Sequence, residues 1–117
     1  MAFESIELDL SSSTNEEWKE IMRLQLASSN RFEIHCWNLE QEEISLALPF
    51  GTLEESEWQY GKIISGSVSD QFTSFLLNLP KPEDTDLYNK MTPFFSIFLD
   101  NGFSSEHYGT ELGLLTI

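Results

Sequence analysis

Basic side chains are scarce in this sequence: 6 Lys and Arg stand against 20 Asp and Glu, for a formal net charge of −14 over 117 residues. A chain so charged repels polyanions, which argues against nucleic acid and anionic membrane surfaces as partners. Self-repulsion of that size destabilises a compact state, so a cationic partner compensates for it, or it serves solubility alone. The single cysteine, Cys36, leaves no internal disulfide framework. No apolar run approaches the roughly 20 residues that a membrane-spanning helix needs. The opening MAFESIELDL has neither a basic stretch nor a continuous apolar one, so no cleaved secretion signal is expected, and a cytoplasmic location is.

Catalytic and ligand motifs are equally sparse. His35 beside Cys36 suggests a base and a nucleophile, but neighbours on a strand point to opposite faces, which leaves Cys36 with the apolar Phe32 and Ile34. His107 is a lone, distant histidine. Gly61 and Lys62 lack the Ser or Thr and the upstream glycine of a phosphate-binding loop. Asp84 and Asp86 begin like a calcium loop, which Tyr88 and the missing glycine break. Zinc ligands are too few. The expectation is a protein that is no enzyme and has no metal and no cofactor.

What is present suffices for a core: 40% of residues are hydrophobic and 13% aromatic. That composition and length fit one domain spanning 1–117. Phe3 to Leu10 alternates as a half-buried strand. Ser13 with Glu16 and Thr14 with Glu17 have capping-box spacing ahead of a helix in which Trp18, Ile21, Met22 and Gln25 or Leu26 fall at helical spacing. Arg31 to Gly51, RFEIHCWNLEQEEISLALPFG, contains two alternating runs and predicts a central β-hairpin with Glu40, Glu42 and Glu43 in its connection. Gly51 to Glu57 predicts a loop and Trp58 to Ser65 a strand. A helix capped by Ser67 or Ser69 then carries Phe72, Phe75, Leu76 and Leu79, and Pro80 and Pro82 end it. Glu83 to Met91 and Thr92 to Leu99 predict further helical segments closed by Asn101 and Gly102, and Gly109 to Ile117 returns to the sheet. The result is an α+β domain: an antiparallel or mixed sheet containing the hairpin, packed against about three helices. Its expected core is Ile6, Leu8, Trp18, Ile34, Leu46, Phe72, Phe75, Phe95 and Phe98.

No Lys or Arg occurs between Arg31 and Lys62, and acidic residues flank Trp37, Trp58 and Tyr60 within that stretch. Carboxylates around aromatic anchors suit a protein partner rich in Arg and Lys. The candidate partner-binding residues are Glu40, Glu42, Glu43, Glu54, Glu55, Glu57, Trp58 and Tyr60. Glutamates in polar connections are also commonly a solvated face, and Trp58 and Tyr60 serve equally well as core residues.

The later half, WQYGKIISGSVSDQFTSFLLNLPKPEDTDLYNKMTPFFSIFLDNGF, resembles the immunity proteins of bacterial contact-dependent growth inhibition systems. The resemblance covers about half the chain and carries no position-by-position site. It implies a one-to-one complex with a cognate toxin C-terminal domain, commonly a nuclease, which the immunity protein neutralises. An acidic nucleic-acid mimic of phage or plasmid origin is the runner-up, and a small hydrolase comes third.

Overall fold

Thr14 starts the first helix. Its hydroxyl oxygen accepts the Glu17 backbone N–H at 3.3 Å, satisfying one of the donors that a helix start leaves open. Helix α1 (Asn15–Ala27) then buries Trp18, Met22 and Leu26, one face at helical spacing. Two more helices follow in this computed structural model, which describes residues 4–9, 14–83 and 89–116: α2 (Gln41–Ala47), continued by a 3-10 turn at Leu48–Phe50, and α3 (Asp70–Asn78). Ser69 caps α3 by accepting the Phe72 N–H at 3.0 Å. No helix among the described residues is long and apolar enough to cross a membrane.

The described residues also form seven strands: β1 (Glu4–Asp9), β2 (Arg31–Trp37), β3 (Thr52–Glu54), β4 (Gly61–Ser67), β5 (Ser96–Leu99), β6 (Phe103–Glu106) and β7 (Glu111–Thr116). All pairings are antiparallel, in the order β1-β7-β6-β5-β2-β4-β3. Residues directly opposite each other share a face of the sheet. Ile34 stands opposite Ile64 and Ile97, Ile97 opposite Ser105, and Ser105 opposite Leu112, which defines the inner face. There the Phe32 ring stacks on Phe72 of α3 with centroids 3.9 Å apart, and Trp18 of α1 donates its indole N–H to Ser105 Oγ at 3.1 Å. Ile44 and Ala47 of α2 join the same core. Three helices on one face of an antiparallel sheet make a small α+β domain, as expected.

Three sequence expectations are corrected. The central hairpin keeps its first arm, β2, but its second arm is helix α2. Ile44 and Ala47 are an i, i+3 pair and are buried, whereas Leu46 and Leu48 of the supposed alternation are each 39% exposed. Gln, Glu, Leu and Ala favour a helix, with Glu42 and Glu43 complementing its N-terminus, and β2 pairs with β4 and β5 instead. The 51–57 loop contains the edge strand β3. The segment 92–99 is not a helix: 92–95 is irregular and Ser96–Leu99 is strand β5, and Asn101 and Gly102 turn it into β6, with Gly102 at φ 95.

Within the expected core, Trp18, Ile34 and Phe72 are fully buried, and Phe75 packs on the core while half-exposed. Leu8 is 47% exposed and Leu46 lies outside the core. Phe95 and Phe98 meet the rings of the opposite face. The side chain of Ile6, and most of the helix expected from Glu83, lie outside the described residues.

Candidate functional site: the face of the sheet opposite the described helices

Because β2 alternates, burying Phe32, Ile34 and Cys36 turns Glu33, His35 and Trp37 the other way. Around them runs a belt of rings. His35 lies 4.8 Å from Phe98 of β5 and 5.8 Å from Trp58; Trp58 meets Trp37 edge-on at 5.1 Å; Trp37 meets Phe95 at 4.8 Å. Phe95 continues the belt to Tyr108 at 5.3 Å and His107 at 5.7 Å. These are ordinary spacings for attractive aromatic pairs.

Two local devices hold the belt. Trp58 sits directly on Gly61: a Cβ at that position would lie 2.2 Å from its ring atoms and 2.6 Å from the Cys36 carbonyl, so only glycine leaves the indole its seat. The β6–β7 turn holds His107 and Tyr108 at φ 51 and 60, a left-handed conformation that costs a non-glycine residue roughly 1 kcal/mol or more. Hydrogen bonds hold Tyr108 there: its N–H donates to the Phe95 carbonyl at 3.0 Å, its carbonyl accepts the Met91 and Thr92 N–H groups at 2.8 and 3.3 Å, and its hydroxyl donates to Glu40 Oε2 at 2.9 Å.

Carboxylates surround the rings. Glu33 pairs with His35 Nε2 at 2.9 Å, and Glu111 with His107 Nδ1 at 3.0 Å. Glu106 stands opposite Glu111, and Glu111 opposite Asp9, so three acidic residues cross β6, β7 and β1 in one row, an arrangement that like-charge repulsion disfavours. They line a cleft of about 420 Å³. A second cleft, of about 410 Å³, lies between Glu54, Glu55, Trp58 and Lys62. A third, of about 320 Å³, is lined by Arg31, Glu33, Phe98 and Asp100. The backbone N–H groups of Asn30 and then Arg31 hold the Asp100 carboxyl below its usual range, so it stays ionised.

Of the residues expected to bind a partner, Glu54, Glu55 and Trp58 converge on the second cleft. The Ser65 hydroxyl donates to Glu54. Glu57 is exposed in the same connection, and Tyr60 is 70% exposed, its carbonyl accepting the Asn38 N–H at 2.9 Å. Glu40, Glu42 and Glu43 are placed at the start of α2 rather than at a hairpin tip. Glu40 is a clamp there: Oε1 accepts the Trp37 N–H at 2.8 Å while Oε2 holds Tyr108. Sequence reasoning missed Glu33, His35, Phe95, Phe98, Glu106, Tyr108 and Glu111 as members of this surface. For Glu33 and His35 the signal was available, since they alternate against the core side of β2; the others meet only through strand pairing.

Cys36 takes no part in this face. Burial first, then the charges of Glu40 and Glu43, push its thiol up to about 12, so it stays protonated and a poor nucleophile. His35, on the opposite face, bonds Glu33 instead. Among the described residues, no group of three or more His, Cys, Asp or Glu is arranged to hold a metal ion. The chain matches no protein-family model, no curated protein and no solved structure.

Proposed function

We propose that this chain is an immunity protein, which binds a cognate, basic toxin C-terminal domain one-to-one in the cytoplasm and neutralises it. The toxin activity in view is that of a nuclease of the contact-dependent growth inhibition type. The observation that carries this reading is the pairing of a net charge of −14 with a seated aromatic belt on the face of the sheet opposite helices α1, α2 and α3. A nuclease domain must present cationic groups to its own polyanionic substrate, and a surface of aromatic anchors among carboxylates competes for those groups. Opposite charge speeds the encounter, and desolvated aromatic contacts slow dissociation.

The test is co-expression with candidate toxin C-terminal domains taken from the genes adjacent to this one. Survival of cells carrying both, together with a one-to-one complex by light scattering, is the expected result. Cells that die at the same rate with and without this chain would refute the proposal.

A further inference from the structure

We infer that the partner docks on the face of the sheet opposite helices α1, α2 and α3, and that the docked element is an arginine- and lysine-bearing surface segment of a protein, anchored on Trp37 and Trp58. The inference deepens the binding reading above by naming the surface and the chemistry of its occupant.

Indole rings are costly to leave facing water, and Trp37 is 36% exposed with no described helix over it. The belt nevertheless does not collapse into the core, because Gly61 seats Trp58 and the turn at His107 and Tyr108 holds the other end. Large apolar rings fixed in place before a partner arrives lose little entropy on binding, the property that distinguishes strong interface anchors.

Charge selects the occupant. Each of the three clefts on this face contains carboxylates; Lys62 and Arg31 contribute cations to two of them, and the cleft with Asp9, Glu106 and Glu111 has no Lys or Arg in its lining. A second copy of the chain would bring another −14 against this surface, and nucleic acid would bring phosphates, so both are repelled. A guanidinium satisfies both parts of the surface at once. Its plane stacks on indole, and its fork of N–H donors engages a carboxylate with two hydrogen bonds. Cationic side chains entering the cleft of Asp9, Glu111 and Glu106 meet a lining whose charged groups are all acidic.

The probe is an oligo-arginine peptide blocked at both ends, titrated at low ionic strength and followed by tryptophan fluorescence, in which Trp37 and Trp58 report while Trp18 stays buried. Two double reversals that raise the net charge by the same amount are compared: E54K with E55K on the cleft beside Trp58, and E16K with E20K on exposed positions of α1. The face pair is expected to weaken binding about tenfold and the helix pair less than about threefold, since a local pair loses contacts while a remote one changes only the general field. Trp58→Ala should weaken binding by a similar factor of about ten, and Trp58→Phe, which keeps an aromatic ring on Gly61, should lose less. Equal losses from the two charge pairs overturn the inference, as does unchanged affinity in Trp58→Ala with an unchanged melting midpoint, or a homodimer by sedimentation. The toxin test is separate. Rescue with equal losses from the two pairs places the toxin elsewhere and sinks only this inference, whereas face-selective binding without rescue sinks only the immunity reading.

Discussion

Removing the Phe72 ring should open a large defect in this core. Phe72 is wholly buried, with Phe32 of β2 stacked on it at 3.9 Å and 5° and Phe50 of the 3-10 turn edge-on at 5.9 Å. Both neighbours are fixed to other elements, β2 and the turn after α2, so neither relaxes freely into the space. Phe72→Ala should therefore cost roughly 4 kcal/mol, within the usual range for a buried phenylalanine. With an unfolding entropy of about 2.1 cal/mol/K per residue, 117 residues give roughly 0.25 kcal/mol/K, so the melting midpoint falls by about 16 °C. Phe75, three positions on, is half-exposed and packs on Phe50 at 4.5 Å, so Phe75→Ala should cost roughly half as much. Urea titrations of both variants, monitored by far-UV circular dichroism, give the comparison directly. A larger loss for Phe75→Ala than for Phe72→Ala would show that α3 is rotated from the phase described, and with it the side of the sheet on which the helices lie.

Gly61→Ala should unseat Trp58 without unfolding the sheet, seen as a red shift in tryptophan emission and a weakened near-UV signal; an unchanged spectrum would mean the indole does not rest there. Asp100, whose carboxyl is held below its usual range by the Asn30 and Arg31 N–H groups, stabilises the fold above its unfolded value of 3.8 and loses that contribution as pH falls through its folded value. Asp100→Asn should accordingly flatten the acid limb of a urea-midpoint curve, and parallel curves would refute the assignment. For Cys36 the sign is opposite: an unfolded thiol ionises near 9.0 and the folded one at about 12, so the folded state loses stability as pH rises between those values. A disulfide reagent at pH 8 should find this thiol slow until urea is added, and fast reaction of the native protein would contradict its burial.

Local signals were enough for α1, β2 and α3. Thr14 and Ser69 are caps that act within four residues, and Phe32, Ile34 and Cys36 alternate against polar neighbours, so each element is decided by its own segment. Segment 92–99 failed for a physical reason. Ile97 and Leu99 face the helices while Phe98 faces the aromatic belt, so β5 is apolar on both sides and its sequence has no period of two to read. In α2 the alternation of Ile44, Leu46 and Leu48 coexists with the i, i+3 pair Ile44 and Ala47, and burial, which decides between them, depends on β2 and β4 being in place. The acidic character of the site was legible from charge alone. Its aromatic centre was not, because the rings come from β2, the connection before β4, the approach to β5, β5 itself and the β6–β7 turn, and only the register of the sheet gathers them.

The strand order has a bearing on time as well as shape. β2 lies inside the sheet, yet both of its neighbours, β4 and β5, follow it in the chain, and among the described residues β1 pairs with β7 alone, with Glu4 opposite Thr116. A chain leaving the ribosome can wind α1 at once, but its first strand has no edge to join until the last has been made. Pairings this distant in sequence contribute only after a long loop has closed, which slows folding. The outer edge beside the carboxylate row thus assembles only after β7 has been made, and until then the nascent chain carries β1 without the strand it pairs with.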